Sequence, residues 1–352
     1  MIVCYFGIYR LEAIRDRLFL EGLKKLDVEV VECVSLSNGV WKFVELFTKL
    51  LALKNNYDIL WVGYSSGVVV PVARLVSNKT IVYNALNSLY ESVILDQERH
   101  SRISLTAIRI WLSDFLAFHL ADIVLVETEE QKEFISSFFW VKSSKLKVVF
   151  TGADEKVFYP DSNIRKLEKF TVVFRGWLVN ATGAEYILEA AKMLRDIGKN
   201  IDIIIIGRGQ RQNDIKNVIE EDNLTNVKLI MNFLSPDRLR ETILSCHVML
   251  GQFGPHARMD RTIQYKTFEA MALGMPYITR ESKSNRELLQ DRVNCLFVKA
   301  GDARDLVDKI LELETNQQLR QSLSRGARKL FESRLGYNVA GRIIHEIIVG
   351  AI

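Results

Sequence analysis

The amino-acid sequence predicts an α/β protein whose parallel sheets are covered by helices on both faces. Its β-branched runs are continuously apolar, which suits strands that are buried on both sides. Stretches with apolar residues at helical spacing lie between these runs, and alternation of strands with helices is typical of parallel sheets. The length of 352 residues suits two domains better than one core.

Two groups of candidate strands follow one another along the chain. The first group is Ile2–Phe6, Val28–Val34, Ile59–Val62, Thr80–Tyr83, Ile123–Val126 and Leu146–Phe150. The second group is Phe170–Phe174, Ile201–Ile206, Val227–Met231, His247–Leu250, Pro276–Thr279 and Cys295–Val298. Because a polar segment at 161–169 separates the groups, we expect it to be a linker between domains at 1–160 and 170–335.

The composition describes a folded globular protein, with 48% hydrophobic and 26% charged residues. Residues 1–160 hold 18 Lys and Arg and 19 Asp and Glu, whereas the remainder is net positive and compatible with a polyanionic ligand. The scattered cysteines predict buried, reduced thiols. No apolar run approaches the ~20 residues that span a bilayer. We therefore expect a cytoplasmic protein, at the inner face of the cell membrane if another feature carries it there.

The run from Lys266 to Thr279 predicts a short helix, a glycine stop at Gly274 and a strand. Glu269 is expected in the first turn of this helix, where a carboxylate favours the positive end of the helix dipole. On this basis alone, Glu269 is a helix-terminal charge. The apolar stripe of the helix is Phe268, Met271, Ala272 and Leu273.

The same run resembles the nucleotide-sugar site of retaining GT-B glycosyltransferases of family 4, which reads E-A-M-A-x-G-x-P-x-I. Residues 152–160 also resemble that family's interdomain signature, G-x-D-x-x-x-F-x-P. The resemblance implies two Rossmann-like domains facing each other across a cleft, the first for the acceptor and the second for the donor. It implies that the last segment, 336–352, is a helix that crosses back to the first domain. It also implies that Glu269 binds the donor's ribose hydroxyls, with Thr267 beside it.

The expected phosphate loop departs from the family pattern G-R-(x)-K-G, in which Arg and Lys neutralise the donor diphosphate. Here Trp177 and Thr182 stand at the cation positions, while Gly176 and Gly183 remain. We still expect Gly176, Thr182 and Gly183 to surround phosphate oxygens at the start of a helix. Arg175 lies one residue earlier, so a continuing strand would point it to the opposite face, in a structural role.

The first acid of the family's E-x(7)-E pair is also replaced, by Arg261. We hypothesise that Arg258, Arg261 or Lys266 supplies the missing cations, because an Arg fork binds pyrophosphate in bidentate fashion. These three residues are the candidate catalytic residues. The alternative is that they are solvated loop charges.

Other candidate ligands follow the ends of predicted strands. Gly207, in a match to I-I-G-x-G, and Phe233, at the expected nucleobase position, belong to the donor site; the alternative for Phe233 is a core aromatic. In the first domain we expect Gly7 near the donor phosphate and Asn84 and Asp96 near the acceptor. A chain-turning glycine and a solvated helix face are the alternatives there.

The segment Val40–Lys54 interleaves aromatic and aliphatic residues with three lysines. Such a helix can lie on an anionic bilayer. The alternative is that it packs on the first sheet with its lysines outward.

Together these features predict a glycosyltransferase that uses a nucleotide-diphosphate sugar and a saccharide or lipid-linked acceptor, with retention of configuration implied by the resemblance. No D-x-D pair occurs, so neither a bridging metal nor another cofactor is expected, and nothing indicates nucleic acid. One alternative is a catalytically inactive nucleotide-sugar-binding or scaffold protein of the same fold. A second is another GT-B enzyme, such as an epimerase of nucleotide sugars.

Overall fold

A computed structural model describes residues 1–8, 14–54 and 56–351. The remaining residues 9–13, 55 and 352 fall within the domains predicted from sequence and lie outside the described residues.

The chain divides into two compact units. The described parts of Met1–Gly152 and Arg334–Ile352 form the first unit, and Ala153–Ser333 forms the second. The segment 161–169 therefore belongs to the second unit, and the last helix belongs to the first.

The first unit is built on a parallel sheet in the order β2-β1-β3-β4-β5-β6. Its strands are β1 (Ile2–Gly7), β2 (Glu29–Val34), β3 (Ile59–Val62), β4 (Thr80–Leu86), β5 (Ile123–Val126) and β6 (Leu146–Val148). Its helices are α1 (Ile14–Lys24), α2 (Trp41–Ala52), α3 (Val70–Val76), α4 (Leu105–Leu120) and α5 (Glu129–Phe138), with a π-helical segment at Glu91–Asp96.

The second unit is built on a parallel sheet in the order β12-β11-β10-β7-β8-β9. Its strands are β7 (Phe170–Arg175), β8 (Ile201–Ile206), β9 (Val227–Ile230), β10 (Val248–Leu250), β11 (Tyr277–Arg280) and β12 (Leu296–Val298). Its helices are α6 (Ala184–Asp196), α7 (Gln212–Glu221), α8 (Pro236–Ser245), α9 (Tyr265–Leu273), α10 (Lys283–Leu288), α11 (Ala303–Thr315) and α12 (Gln317–Arg334), and α13 (Tyr337–Val349) completes the chain. The strand order reverses between β7 and β10, and ligands of such sheets bind beyond the carboxyl ends of the strands there.

The predicted fold class is confirmed, and every candidate strand overlaps a strand of the structure. The prediction succeeds because the parallel strands are covered on both faces: all residues of β3 and β5, for example, are buried. The cysteines are buried with free thiols, as predicted. In the described part of the chain, no helix is both long and apolar enough to cross a membrane.

Helix α2 combines features of both predicted alternatives. Leu46 and Leu50 are buried in the core beside the first sheet, so the helix does pack on it. However, Trp41 is 70% exposed and Val44 50% exposed, so apolar side chains as well as lysines face outward.

The last helix packs on the first unit through a contact between two glycines. A Cβ on Gly341 of α13 would lie 2.3 Å from the carbonyl oxygen of Gly22, and a Cβ on Gly22 would lie 2.5 Å from the carbonyl oxygen of Tyr337. Both opposing atoms belong to the backbone, so the helices α1 and α13 must separate to admit a side chain.

We expect Gly341→Leu to lower the free energy of unfolding by about 3 kcal/mol or more, because overpacking here moves the backbone. Urea unfolding followed by circular dichroism measures the effect. The control Arg342→Leu adds the same side chain at the next, exposed position and is expected to have little effect. Equal midpoints for the two variants would contradict the tight crossing.

Candidate functional site

Two loops follow neighbouring strands of the second sheet and approach each other closely. Arg175 ends β7, and the N–H of the next residue, Gly176, donates to the carbonyl oxygen of Ile206, 3.0 Å away. A Cβ on Gly207 would lie 2.1 Å from the carbonyl oxygen of Gly176. The loops can therefore pass at this distance only because glycine occupies position 207.

The loop from β7 to α6 is fixed by a second glycine. Gly183 has a φ of 68°, and a Cβ there would lie 2.2 Å from the backbone nitrogen of Gly254. Thr182 is 4% exposed, and its hydroxyl donates to the carbonyl oxygen of Val179 at 2.7 Å. Thr182 thus stabilises the turn that leads into α6, and its role as a phosphate ligand stays a prediction.

Helix α9 carries the acid that the sequence pattern singled out. The helix begins at Tyr265, so Glu269 lies in its second turn, and the expectation of a first-turn charge was wrong. The helix ends at Gly274, which has a φ of 62°, as predicted. All residues from Lys266 to Leu273 are buried, and Glu269 has no exposed surface. A helix-terminal charge does not account for this position.

Glu269 is paired with a residue that the sequence analysis assigned a structural role. Nη1 of Arg175 lies 2.8 Å from Oε1 of Glu269. The contact is an ion pair without hydrogen-bond geometry, since neither carboxylate oxygen accepts a hydrogen bond from the described residues. Although the strand continues to Arg175, its side chain reaches the acid, because α9 lies beside the end of β7.

Lys266 completes a cluster with Arg175 and Glu269. It is 3% exposed, and its Nζ lies 3.9 Å from the ring centroid of Phe174. In the described part of the chain, this ammonium has no hydrogen-bond acceptor. A Cβ on Gly176 would lie 2.8 Å from the same Nζ, so the lysine ends beneath the glycine of the first loop.

Burial dominates the ionisation of this cluster. Burial and, to a smaller extent, the nearby Arg175 lower the pKa of Lys266 to about 7, although Glu269 opposes both effects. Burial also raises the pKa of Glu269, against the attraction of Arg175 and Lys266. A group of two cations and one acid is costly for folding when charged groups are buried without hydrogen-bond partners, as Lys266 and Glu269 are among the described residues. Such groups are typical of functional sites.

A pocket of about 220 Å³ opens beside the cluster, at the carboxyl ends of β7, β8 and β9. Arg175, Gly176 and Gly207 belong to its wall. Trp177 and Phe233 also line it and are 65% and 82% exposed, so the alternative of a core aromatic for Phe233 was wrong. The pocket therefore combines exposed aromatic rings with a cation and close-lying backbone.

The other candidate residues of the second unit lie elsewhere. Arg258 and Arg261 are half-buried around a short 3-10 helix after β10, and neither is among the residues that line the pocket. Their catalytic roles stay predictions. Thr267 is 1% exposed and shares a hydrogen bond of 2.9 Å between its Oγ1 and the hydroxyl of Tyr277, so its side chain contacts β11.

In the first unit, Asn84 belongs to a buried polar network that sequence reasoning missed. Its Oδ1 accepts from Nε of Arg15 at 2.8 Å, and its Nδ2 donates to Oδ1 of Asp16 at 2.7 Å. Burial lowers the pKa of Arg15 to about 10, although Glu127 and Asp16 oppose this. Both polar groups of the Asn84 side chain are therefore used within the protein, and its role toward an acceptor stays a prediction.

The remaining two candidates of the first unit are Gly7 and Asp96. Gly7 ends β1, where a Cβ would lie 2.8 Å from Oγ of Ser66 in the loop after β3. Asp96 ends the π-helical segment and is half-buried. Their ligand roles stay predictions.

Comparison with known proteins decides the family. Residues 155–330, half of the chain, match the family described as glycosyl transferases group 1. The chain belongs to this family. The match covers the second unit almost entirely, including the pocket and the Arg175–Lys266–Glu269 cluster.

Relatives within this family are distant in sequence. The amylovoran biosynthesis glycosyltransferase AmsK of Erwinia amylovora is 24% identical over 172 residues, 49% of this chain and 42% of the relative. The capsular polysaccharide biosynthesis glycosyltransferase CapM of Staphylococcus aureus is 23% identical over 248 residues, 65% of this chain and 62% of the relative. The chain thus spans about half the length of these relatives.

A solved structure is similar over the whole chain. The Anabaena protein HepE, in complex with UDP-glucose, superposes with a TM-score of 0.75 at 16% identity and covers 99% of this chain and 100% of its own. This likeness confirms the predicted GT-B fold.

The depressed pKa of Lys266 predicts a pH-dependent stability. At low pH the ammonium is charged in both states, so its burial destabilises the fold in full. Between pH 7 and the ordinary pKa of lysine the folded state loses the proton first, so the cost shrinks as pH rises. We expect Lys266→Met to raise the free energy of unfolding by about 2 to 4 kcal/mol at about pH 6 and by less at about pH 9.

Denaturant titrations of both proteins at the two pH values measure this difference. Lys192→Met is the control: it replaces an exposed lysine that pairs with Asp222, so it removes no cost of burial and should not stabilise the fold. A Lys266→Met difference that is the same at both values would show that the ammonium stays charged throughout.

Proposed function

We propose that this glycosyltransferase moves a sugar from a nucleotide-diphosphate donor to an acceptor hydroxyl with retention of anomeric configuration. The observation that supports this most is the Arg175–Lys266–Glu269 cluster beside a pocket at the carboxyl ends of the second sheet. A buried acid and two cations match the two chemical demands of such a donor: ribose hydroxyls that need an acceptor, and a diphosphate that needs positive charge.

Arg175 takes the role of the missing diphosphate cation in this proposal. It lines the pocket, its side chain is 31% exposed, and its guanidinium fork suits phosphate oxygens. Lys266 adds a second positive charge beneath Gly176, where the glycine lets a phosphate approach. The protein's own cations then stabilise the leaving diphosphate, so transfer is metal-independent. Arg258 and Arg261 remain further candidates for this role.

Glu269 binds the ribose hydroxyls only if it becomes accessible. It has no exposed surface, and Arg175 lies on it at 2.8 Å. We therefore include a movement in the proposal: Arg175 turns from the carboxylate to the diphosphate as the donor binds. The exchange keeps the guanidinium paired with an anion throughout and exposes both carboxylate oxygens to the ribose.

The donor base and acceptor follow from chemistry and from relatives. Trp177 and Phe233 offer rings on which a nucleobase can stack. HepE was crystallised with UDP-glucose, so uridine diphosphate sugars are the first donors to test. The names of AmsK and CapM point to polysaccharide assembly, which makes a saccharide or lipid-linked intermediate the proposed acceptor and the cytoplasmic side of the membrane the proposed location.

We expect Arg175→Ala and Glu269→Gln each to lower kcat/KM for the donor by roughly 10²–10³, because each removes a charged contact to the leaving nucleotide. Donor hydrolysis and transfer, with the anomer of the product assigned by NMR, are the assays. Lys169→Ala is the matched control: Lys169 pairs with Asp202 at 2.5 Å beside the opposite end of β7. An inverted product would contradict retention.

Nucleotide binding, followed by thermal shift, separates the alternatives. Stabilisation by UDP or UDP-glucose without turnover on any tested acceptor would favour the non-catalytic alternative. If Arg175→Ala binds both nucleotides as the wild type does, the role given to Arg175 is wrong.

Proton uptake gives a further test of Lys266. A bound diphosphate brings negative charge close to Nζ and must raise the pKa of this lysine above its value of about 7. Nucleotide binding at about pH 8 should therefore take up a proton, and affinity should fall as pH rises. Calorimetry in two buffers of different ionisation enthalpy measures the uptake. Lys266→Met should abolish it, and equal uptake by both proteins would place the proton elsewhere.

A further inference from the structure

Two helices of the first unit expose apolar stripes. On α2 and its N-cap, the side chains of Val40, Val44, Phe47 and Leu51 are 41–71% exposed and recur every three or four residues. On α4, Leu105, Ile108, Leu112 and Leu116 repeat the pattern with exposures of 36–73%. Scattered exposed leucines are ordinary, but two complete helical stripes are not.

The two stripes belong to one layer. Helix α3 packs against both α2 and α4. The inner sides of all three helices contribute to the same core on one face of the sheet β1–β6. Leu75 of α3 is 81% exposed, so the helix between the stripes also presents an apolar side chain to the outside.

Positive charge is concentrated in α2, α3, α4 and the connections next to them, whereas α5, which contributes to the same core, begins with two acids. Residues 40–54, 67–79, 97–120 and 140–145 contain ten Lys and Arg but three Asp and Glu. The rest of the first unit contains nine Lys and Arg and fifteen Asp and Glu. We call the outer surface of these four segments the apolar–basic face. Its charge differs in sign from that of the remainder of the unit, so the near-neutral total hides a strong separation.

We infer that the apolar–basic face binds the surface of an anionic lipid bilayer. Apolar stripes combined with lysine and arginine are the features by which helices lie in a bilayer interface, with apolar side chains among the acyl chains and cations at the headgroups. Trp41 and Trp140, 70% and 69% exposed, offer rings suited to the headgroup level. A second copy of the chain is a poorer occupant, because a symmetric contact would oppose two surfaces of the same charge.

The position of this face bears on the acceptor. Leu36 and Trp41 follow β2, and Ile103, 88% exposed, lies in the connection that follows β4, so exposed apolar residues reach the carboxyl edge of the first sheet. The family resemblance implies that the first unit binds the acceptor, with Asn84 and Asp96 near it, and the proposed function names a saccharide or lipid-linked acceptor. If that proposal holds, a lipid-linked acceptor would be presented directly from the bilayer.

Vesicle flotation of the full chain tests the inference. We expect binding to vesicles of phosphatidylglycerol and phosphatidylcholine, weak binding to pure phosphatidylcholine, and loss of binding at high salt. Arg102→Glu with Arg109→Glu reverses two exposed charges on the face and should lower vesicle partitioning at least ~tenfold. Trp41→Ser with Ile108→Ser should lower it by a similar factor through lost apolar contact.

Matched controls lie in the second unit. Arg304→Glu with Arg325→Glu changes net charge by the same amount at exposed positions, and Ile197→Ser with Val293→Ser removes exposed apolar side chains. Both should float like the wild type. If all charge-reversed proteins lose binding equally, the attraction is general and the face is not the site. Failure of the wild type to float would also overturn the inference.

Two further results distinguish this inference from dimerisation and from the proposed function. Light scattering measures the oligomeric state. If the wild type is a dimer and the double variant Trp41→Ser with Ile108→Ser is a monomer, a second copy of the chain binds this face and the bilayer inference is wrong. Nucleotide-induced thermal shifts should be unchanged in the face variants, since they lie outside the pocket. If the wild type binds vesicles but transfers no sugar, the proposed function is contradicted and the bilayer inference stands.

Discussion

The site of the second unit is built around one buried acid, an arginine that pairs with it and a buried lysine nearby. Glu269, which has no exposed surface, lies on α9. Nη1 of Arg175, at the end of β7, lies 2.8 Å from its Oε1. Lys266, one turn earlier, ends beneath Gly176, which cannot carry a side chain without displacing the ammonium. Gly207 is constrained in turn by the carbonyl oxygen of Gly176. The ammonium of Lys266 and the carbonyl oxygen of Gly176 thus limit the space for side chains at positions 176 and 207.

Such a cluster works against folding. Moving several charged groups out of water costs several kcal/mol each, and an ion pair without directed hydrogen bonds recovers part of this. The apolar strands around it supply the compensation: Phe174, Ile205 and Leu250 are fully buried at the ends of β7, β8 and β10. A packed apolar sheet therefore holds charged groups that, alone, would favour water, and keeps them beside a pocket where an anionic ligand can use them.

The sequence predicts the fold well because the deciding signal is local. Continuous apolar runs mark parallel strands, and Ile59–Val62 and Ile201–Ile206 have the predicted bounds. Strand ends are less certain: β4 continues to Leu86 beyond its apolar run, through pairing with β5. The acid Glu269 was also found from a local pattern. The contact of Arg175 with Glu269 was not predicted. Strand alternation indicates the face of the sheet to which the Arg175 side chain points, but it does not reveal that α9 lies beside the end of the strand.

The same limit explains why the charge summed over residues 1–160 does not reveal the apolar–basic face. Residues 1–160 are nearly neutral in total, so composition gives no sign of an electrostatic partner. The separation emerges only when topology places α2, α3 and α4 side by side in one layer and their charges are counted apart from those of the other segments. The exposed residues Val40, Val44, Phe47 and Leu51 of α2 and its N-cap do not belong to the core. Leu46 and Leu50 are the buried residues of this helix. Since packing does not require the exposed residues, an external apolar surface is the partner that gives them a physical role.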